Sequence, residues 1–330
     1  MNTPNTRSSI TLTAISSLGI IVAGCSSPDS TSSIDSHESA SSKLRVSCTS
    51  NIVKDLVLQI GGDHVEVTAI MDGPAIDPHL YKPSPQDVNL LTESDVVVYS
   101  GLHLEAQFEG AIQSLQNRGI PAIKVTEILE KDFGTRLLHV EGVVDPHVWF
   151  DLELWGECGV WLAEELAKLD EQHAAAYRAA AVEFQQQMQA TVEQGRTALA
   201  DLPVERRILV TAHDAFQYFA RSFDFRVEAV QGLSTESEPG LKRINELATL
   251  LVEAKISAIF TEQSVSDRNI LALISECRSR GHSLTVGGTL YSDTAGPAGT
   301  PEGTLAGAVM HNIREIAAGL SSQPSSRKSP

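Results

Sequence analysis

The chain has 330 residues, 42% hydrophobic and 20% charged, which is enough apolar content to core about two domains and too little charge for long disorder. Acidic residues outnumber basic ones 42 to 25, and a formal charge of −17 attracts cations and makes nucleic acid a poor partner. Four cysteines, at 25, 48, 158 and 277, contain no CxxC pair and exclude both a disulfide scaffold and a cysteine-built zinc knuckle.

Residues 1–25 read as an address. Arg7 is the only charge before an apolar run from Ile10 to Gly24, which is too short and too polar to span a bilayer. The run ends in Val22-Ala23-Gly24-Cys25, and small residues before a cysteine resemble a bacterial lipobox, with Cys25 lipidated as the mature N-terminus. An ordinary secretory signal with an incidental cysteine is the alternative. Residues 26–43 form a tether in which nine of the seventeen residues from Ser26 to Ser42 are serine. Such a coil holds a folded body about 20–25 Å from a membrane.

From Leu44 the pattern is α/β. Short β-branched runs (Val65–Ile70, Val96–Tyr99 and Ala122–Val125) alternate with longer amphipathic ones, which predicts mainly parallel sheets covered by helices. Ser84, Pro85 and Asp87 predict a capped helix start. A second set of strands falls at Ile208–Val210, Val227–Val230, Ile256–Phe260 and Leu284–Val286, with a helix beginning near Ser264–Asp267 and ending at Gly281. Between the sets, residues 171–202 are rich in Ala, Gln and Glu and hold one glycine, Gly195, before Pro203. They predict one long helix of about 45 Å, the alternative being two packed helices. The organisation expected is an N-terminal lobe (44–170), a linking helix (171–202), a C-terminal lobe (203–320) and a polar tail (321–330).

Two tripeptides repeat, Asp77-Pro78-His79 and Asp145-Pro146-His147. In each, proline fixes a turn and the aspartate is able to bond nearby backbone or to orient the imidazole from behind. His79 follows a strand in a loop with Gly73 and Pro74, and loops at the carboxyl ends of strands are where open α/β sheets bind ligands. His213 directly follows the strand at 208–210, and Asp293 follows the one at 284–286. Three imidazoles and a carboxylate meeting across a cleft suit a first-row divalent metal. Taken singly, each is equally at home as a surface histidine or a turn aspartate. Glu262 ends another strand and has two readings, an acceptor behind a ligand or a helix-start charge.

These motifs, in order, resemble the substrate-binding proteins of zinc and manganese ABC importers, the cluster A-I metal binders. The likeness runs from about Leu44 to Leu320. It rests on Asp77-Pro78-His79-Leu80-Tyr81 with Pro83-Ser84-Pro85, Gly101-Leu102 with Leu104-Glu105, and Asp145-Pro146-His147-Val148-Trp149. Thr211-Ala212-His213-Asp214-Ala215-Phe216, Gln231 to Pro239, and Leu290-Tyr291-Ser292-Asp293 complete it. The resemblance implies metal ligands at His79, His147, His213 and Asp293; Asp77, Asp145 and Glu262 are the candidates to stand behind them. It implies two α/β lobes with the metal in the cleft between them.

By the same resemblance the chain is a monomeric, extracytoplasmic, membrane-anchored protein, not an enzyme. It would capture Zn²⁺ or Mn²⁺ as cargo for a permease driven by an ATPase. The alternatives are a zinc metallohydrolase using the same residues, or a surface adhesin stabilised by metal. Zinc-dedicated members carry a His- and Asp-rich loop before the second Asp-Pro-His, whereas residues 131–144 here are short and hold only His139. Several manganese members have Glu where this chain has His213, and imidazole there favours zinc.

Overall fold

The computed structural model describes residues 43–321. The expected signal with Cys25, the tether as far as residue 42 and the tail from residue 322 lie outside the described residues.

The N-terminal lobe runs β1 (Leu44–Ser50), α1 (Asn51–Gly61), β2 (Val65–Met71), α2 (Pro85–Thr92) and β3 (Val96–Tyr99). It continues through α3 (Glu109–Asn117), β4 (Ala122–Lys124) and α4 (Glu127–Asp132). The four strands are parallel in the order β2-β1-β3-β4. Val96, Val97 and Val98 of β3 are all fully buried, as expected of an inner strand covered on both faces. Ser84 and Asp87 form the predicted capping box on α2.

The short stretch before the second Asp-Pro-His folds into an antiparallel hairpin, β5 (His139–Val140) and β6 (Val143–Val144), which the strand patterns did not reveal. Glu141 and Gly142, both at positive φ, make its turn. Then α5 (Leu152–Leu169), capped by Asp151, packs along α6 (Ala174–Ala198).

The linking segment is one helix and not two. Its 25 residues extend about 37 Å. It stops short of Pro203 because Arg207 reaches back to donate to the carbonyls of Leu199 and Leu202, at 3.0 and 3.1 Å, and to that of Phe223. That guanidinium satisfies backbone the helix would otherwise have to pair.

The C-terminal lobe holds β7 (Ile208–Thr211), α7 (Gln217–Phe223), β8 (Arg226–Ala229), α8 (Leu241–Glu253) and β9 (Ala258–Glu262). After these come α9 (Arg268–Ser279), β10 (Thr285–Leu290) and α10 (Leu305–Ser321), so Ser321 closes a helix. The strands form two parallel pairs, β7–β8 and β9–β10, with β7 beside β9.

One buried apolar cluster runs from β1 and α1 through α5 and α6 to α7 and α10, so the two lobes share a core. Smaller clusters line the outer face of the first sheet and the interior of the second lobe. Among the described residues no helix is long and apolar enough to cross a membrane.

Gly195 explains itself at the shared core. A Cβ there would stand 2.6 Å from Ile313 of α10 and 2.6 Å from Phe223 of α7. The helix accepts a poor helix former so that two others can approach. Gly195→Val is therefore expected to destabilise the fold by about 1–3 kcal/mol through overpacking. An unchanged urea midpoint for the variant would contradict that packing.

Candidate metal centre

Four loops at strand ends deliver the candidate residues. His79 lies in the turn after β2, where Asp77 O accepts from the Leu80 and Tyr81 amides. His147 follows the β5–β6 hairpin, His213 stands two residues beyond β7, and Asp293 three beyond β10. Their side chains converge, and one ligand atom from each lies within 4.8 Å of all the others.

The spacing at the centre is tight. His147 Nε2 lies 3.3 Å from His79 Nε2, 3.4 Å from His213 Nε2 and 3.4 Å from Asp293 Oδ1. Asp293 Oδ1 is also 3.3 Å from His213 Nε2. His147, His213 and Asp293 are fully buried and His79 is 5% exposed. Asp293 Oδ1 is a buried acceptor without a hydrogen bond, the kind of atom a cation satisfies.

The residues behind the centre are less symmetric than their sequence motifs. Asp145 Oδ1 accepts from both the backbone N–H and the Nδ1 of His147, at 2.9 and 2.7 Å. Asp77 accepts from the His79 backbone N–H at 2.9 Å, but its other oxygen takes the Thr235 hydroxyl at 2.6 Å and leaves the His79 ring alone. Glu262 treats His213 as Asp145 treats His147, with one oxygen on the amide at 2.9 Å and the other on Nδ1 at 2.5 Å. A carboxylate on Nδ1 fixes the proton there and turns Nε2 toward the centre.

Sequence reasoning missed several supports. Ser264 Oγ sits 3.4 Å from Asp293 Oδ2. Tyr218 hydroxyl accepts from the Leu138 amide and donates to Asp145 O, pinning the segment that carries His147. The Trp149 indole donates to Ser292 O at 2.9 Å. A buried polar side chain beside each motif was the available signal, but its partner lies far away in sequence.

Glu105, in the Gly101–Glu105 motif, is buried and accepts from Thr49 and the Ser100 and Gly101 amides, which locks the loop after β3. The other histidines find separate partners. His64 stacks on His173, His282 and His311 meet backbone carbonyls, and exposed His103 pairs with Glu109.

Burial pushes His79 down to about 3. Burial also works against charge on His147, yet Asp145 and Asp293 outweigh it and hold that ring up at about 9. His213 is likewise raised against its burial by Asp293 and Glu262. Asp293 is driven well below the usual carboxylate range, since the neighbouring imidazoles, His213 foremost, overcome its burial.

With this geometry in place, comparison with known proteins is specific. Residues 46–319 match the family described as zinc-uptake complex component A, periplasmic. The manganese-binding lipoprotein MntA of Bacillus subtilis (strain 168) is 42% identical over 86% of this chain and 92% of its own length. The zinc-binding protein TroA of Treponema pallidum (strain Nichols) is 38% identical over 85% of this chain and 90% of its own length. A solved structure of the T. pallidum periplasmic zinc-binding protein TroA superposes with a TM-score of 0.80 at 38% identity, covering 84% of this chain and 99% of that one. The chain belongs to the zinc-uptake complex component A family.

A divalent cation between the Nε2 atoms must displace any proton held there. The carboxylates around His147 and His213 favour such protons on both rings. Metal binding at pH 7 is therefore expected to release protons, and affinity to rise with pH above neutrality. Calorimetry in buffers of different ionisation enthalpy reads the proton count, and a count of zero at pH 7 would contradict this electrostatic account.

Proposed function

We propose that this protein is the extracytoplasmic substrate-binding component of an ABC importer that captures Zn²⁺ or Mn²⁺ and delivers it to a membrane permease. In this reading His79, His147, His213 and Asp293 are the metal ligands, and Asp145 and Glu262 orient two of them. The observation that carries it is the donor spacing. His147 Nε2, His213 Nε2 and Asp293 Oδ1 stand 3.3–3.4 Å from one another, and His79 Nε2 stands 3.3 Å from His147 Nε2. That is the donor separation of a tetrahedral shell with bonds of about 2.0–2.1 Å, and all four groups converge within 4.8 Å. Four protein donors make a closed shell, which suits carriage more than hydrolysis. The names of the two relatives divide between manganese and zinc, and both ions remain cargo in this proposal.

The metallohydrolase alternative needs a base facing the centre. Glu262 was its sole candidate, and both Glu262 oxygens are committed to His213. The partners follow from the family reading: a permease and its ATPase, and the membrane itself through a lipid on Cys25. We read the protein as a monomer.

Competition calorimetry with Zn²⁺ and Mn²⁺ tests the ligand set. Removing a ligand should cost more than the 10–100-fold typical of an outer partner, so His213→Ala is expected to weaken binding by more than about 100-fold. Binding as tight as wild type, or turnover of an ester or peptide by the zinc-loaded protein, would overturn the proposal. The anchor is tested separately: Cys25→Ser is expected to move the protein from the membrane to the soluble fraction of fractionated cells.

A further inference from the structure

Asp293 belongs to the C-terminal lobe by sequence, but its loop is gripped from both lobes. Asn312 of α10 pairs with both backbone groups of Tyr291, at 2.9 and 2.7 Å. From the other lobe, Trp149 takes Ser292 O, Pro74 O accepts the Thr294 hydroxyl at 2.9 Å, and Asn51 meets Ala295. Asn51 Nδ2 donates to Ala295 O and Asn51 Oδ1 accepts from the Ala295 amide, each at 3.0 Å. Asn51 is the first residue of α1, 8% exposed, and has no atom among the converging ligand groups.

We propose that Asn51 is a positioning residue for the metal centre: its side-chain amide clamps Ala295 and thereby holds the Asp293 carboxylate against His147 and His213. This deepens the ligand assignment proposed above and rests on it. The amide suits the task because it carries one donor and one acceptor on a single edge, the same complement a peptide unit presents. Paired this way, the Ala295 backbone is held as in a β-ladder, two residues from the carboxylate. Aspartate at 51 would keep the acceptor for the Ala295 N–H but set a second oxygen against Ala295 O. Alanine would leave both Ala295 groups buried and unpaired. Neither variant alters any group at the centre itself, so an effect on metal must travel through the loop.

The test is a double-mutant cycle read by chelator competition for Zn²⁺ and by the absorption of bound Co²⁺, which reports tetrahedral coordination. Asn51→Ala is expected to weaken Zn²⁺ binding by about 10–100-fold and to change the Co²⁺ spectrum. In an Asp293→Ala background the same change should cost less than about twofold, because the positioned group is gone. Equal losses in both backgrounds would make Asn51 merely structural and overturn the inference, as would an unaltered affinity and spectrum. If Asn51→Ala does not fold, Thr294→Val, which removes the neighbouring bond to Pro74, enters the same cycle with the same criteria. If Asp293→Ala alone leaves affinity unchanged, the ligand assignment fails. If Asp293→Ala weakens binding and the Asn51 change is indifferent, only the positioning role fails.

Discussion

Four electron-rich groups gathered within 4.8 Å of one another in the dry interior, three of them only 3.3–3.4 Å apart, are the constraint the rest of the structure serves. Asp293 Oδ1 is buried among them without a hydrogen bond. Such an arrangement persists only when its surroundings over-determine it. The surroundings do so from behind. Asp145 and Glu262 each bind both the backbone and the ring of their histidine, so neither imidazole turns without breaking its Nδ1 bond to a carboxylate that the backbone amide also holds. Their negative charge also raises the proton affinity of those rings.

The two-lobe plan follows from that need. A single parallel sheet presents its ligand loops along one edge, whereas two sheets facing across a cleft supply donors from opposite sides. The cost is that the donors' spacing depends on how the lobes sit. This chain answers with a shared apolar core through α5, α6 and α10, and with polar ties across the cleft. Thr235 binds Asp77, Trp149 binds Ser292, and the Asp293 loop binds Pro74 and Asn51. Gly195 shows how close that helix packing is, since a single added carbon would force the Ile313 and Phe223 side chains to shift.

What the sequence made legible was local. The repeated Asp-Pro-His, the placement of His213 directly after a β-branched run, and the capping box at Ser84 could all be read within a few residues. The supports could not. Asn51 meets Ala295 across 244 positions, Trp149 meets Ser292 across 143, and no periodicity carries information at that range. The two Asp-Pro-His copies look identical as text and differ in space: Asp145 Oδ1 takes both the amide and the ring of its histidine, whereas Asp77 takes the amide with one oxygen and the distant Thr235 hydroxyl with the other. Glu262 had two local readings, and only the neighbouring strand, bringing His213 beside it, chooses between them. The early end of α6 was hidden for the same reason, since Arg207 caps it through tertiary contact.

The tethering is uneven, and the unevenness matters for a protein that must release what it binds. His147, His213 and Asp293 each have a partner on the side away from the centre. The His79 ring is hydrogen-bonded only at its Nε2, toward His147, and Asp77 holds it by the backbone alone. His79 also lines a cavity of about 210 Å³ that reaches Leu104, Val143, Leu233 and Glu236. Three of the converging groups are thus held from behind, which lowers the cost of binding a cation, and the fourth has no such hold on its ring. A shell rigid on every side would bind tightly and release slowly, because affinity differences reside mostly in the off-rate. One imidazole held from the centre side alone, beside a cavity, is where so enclosed a set of groups yields most easily.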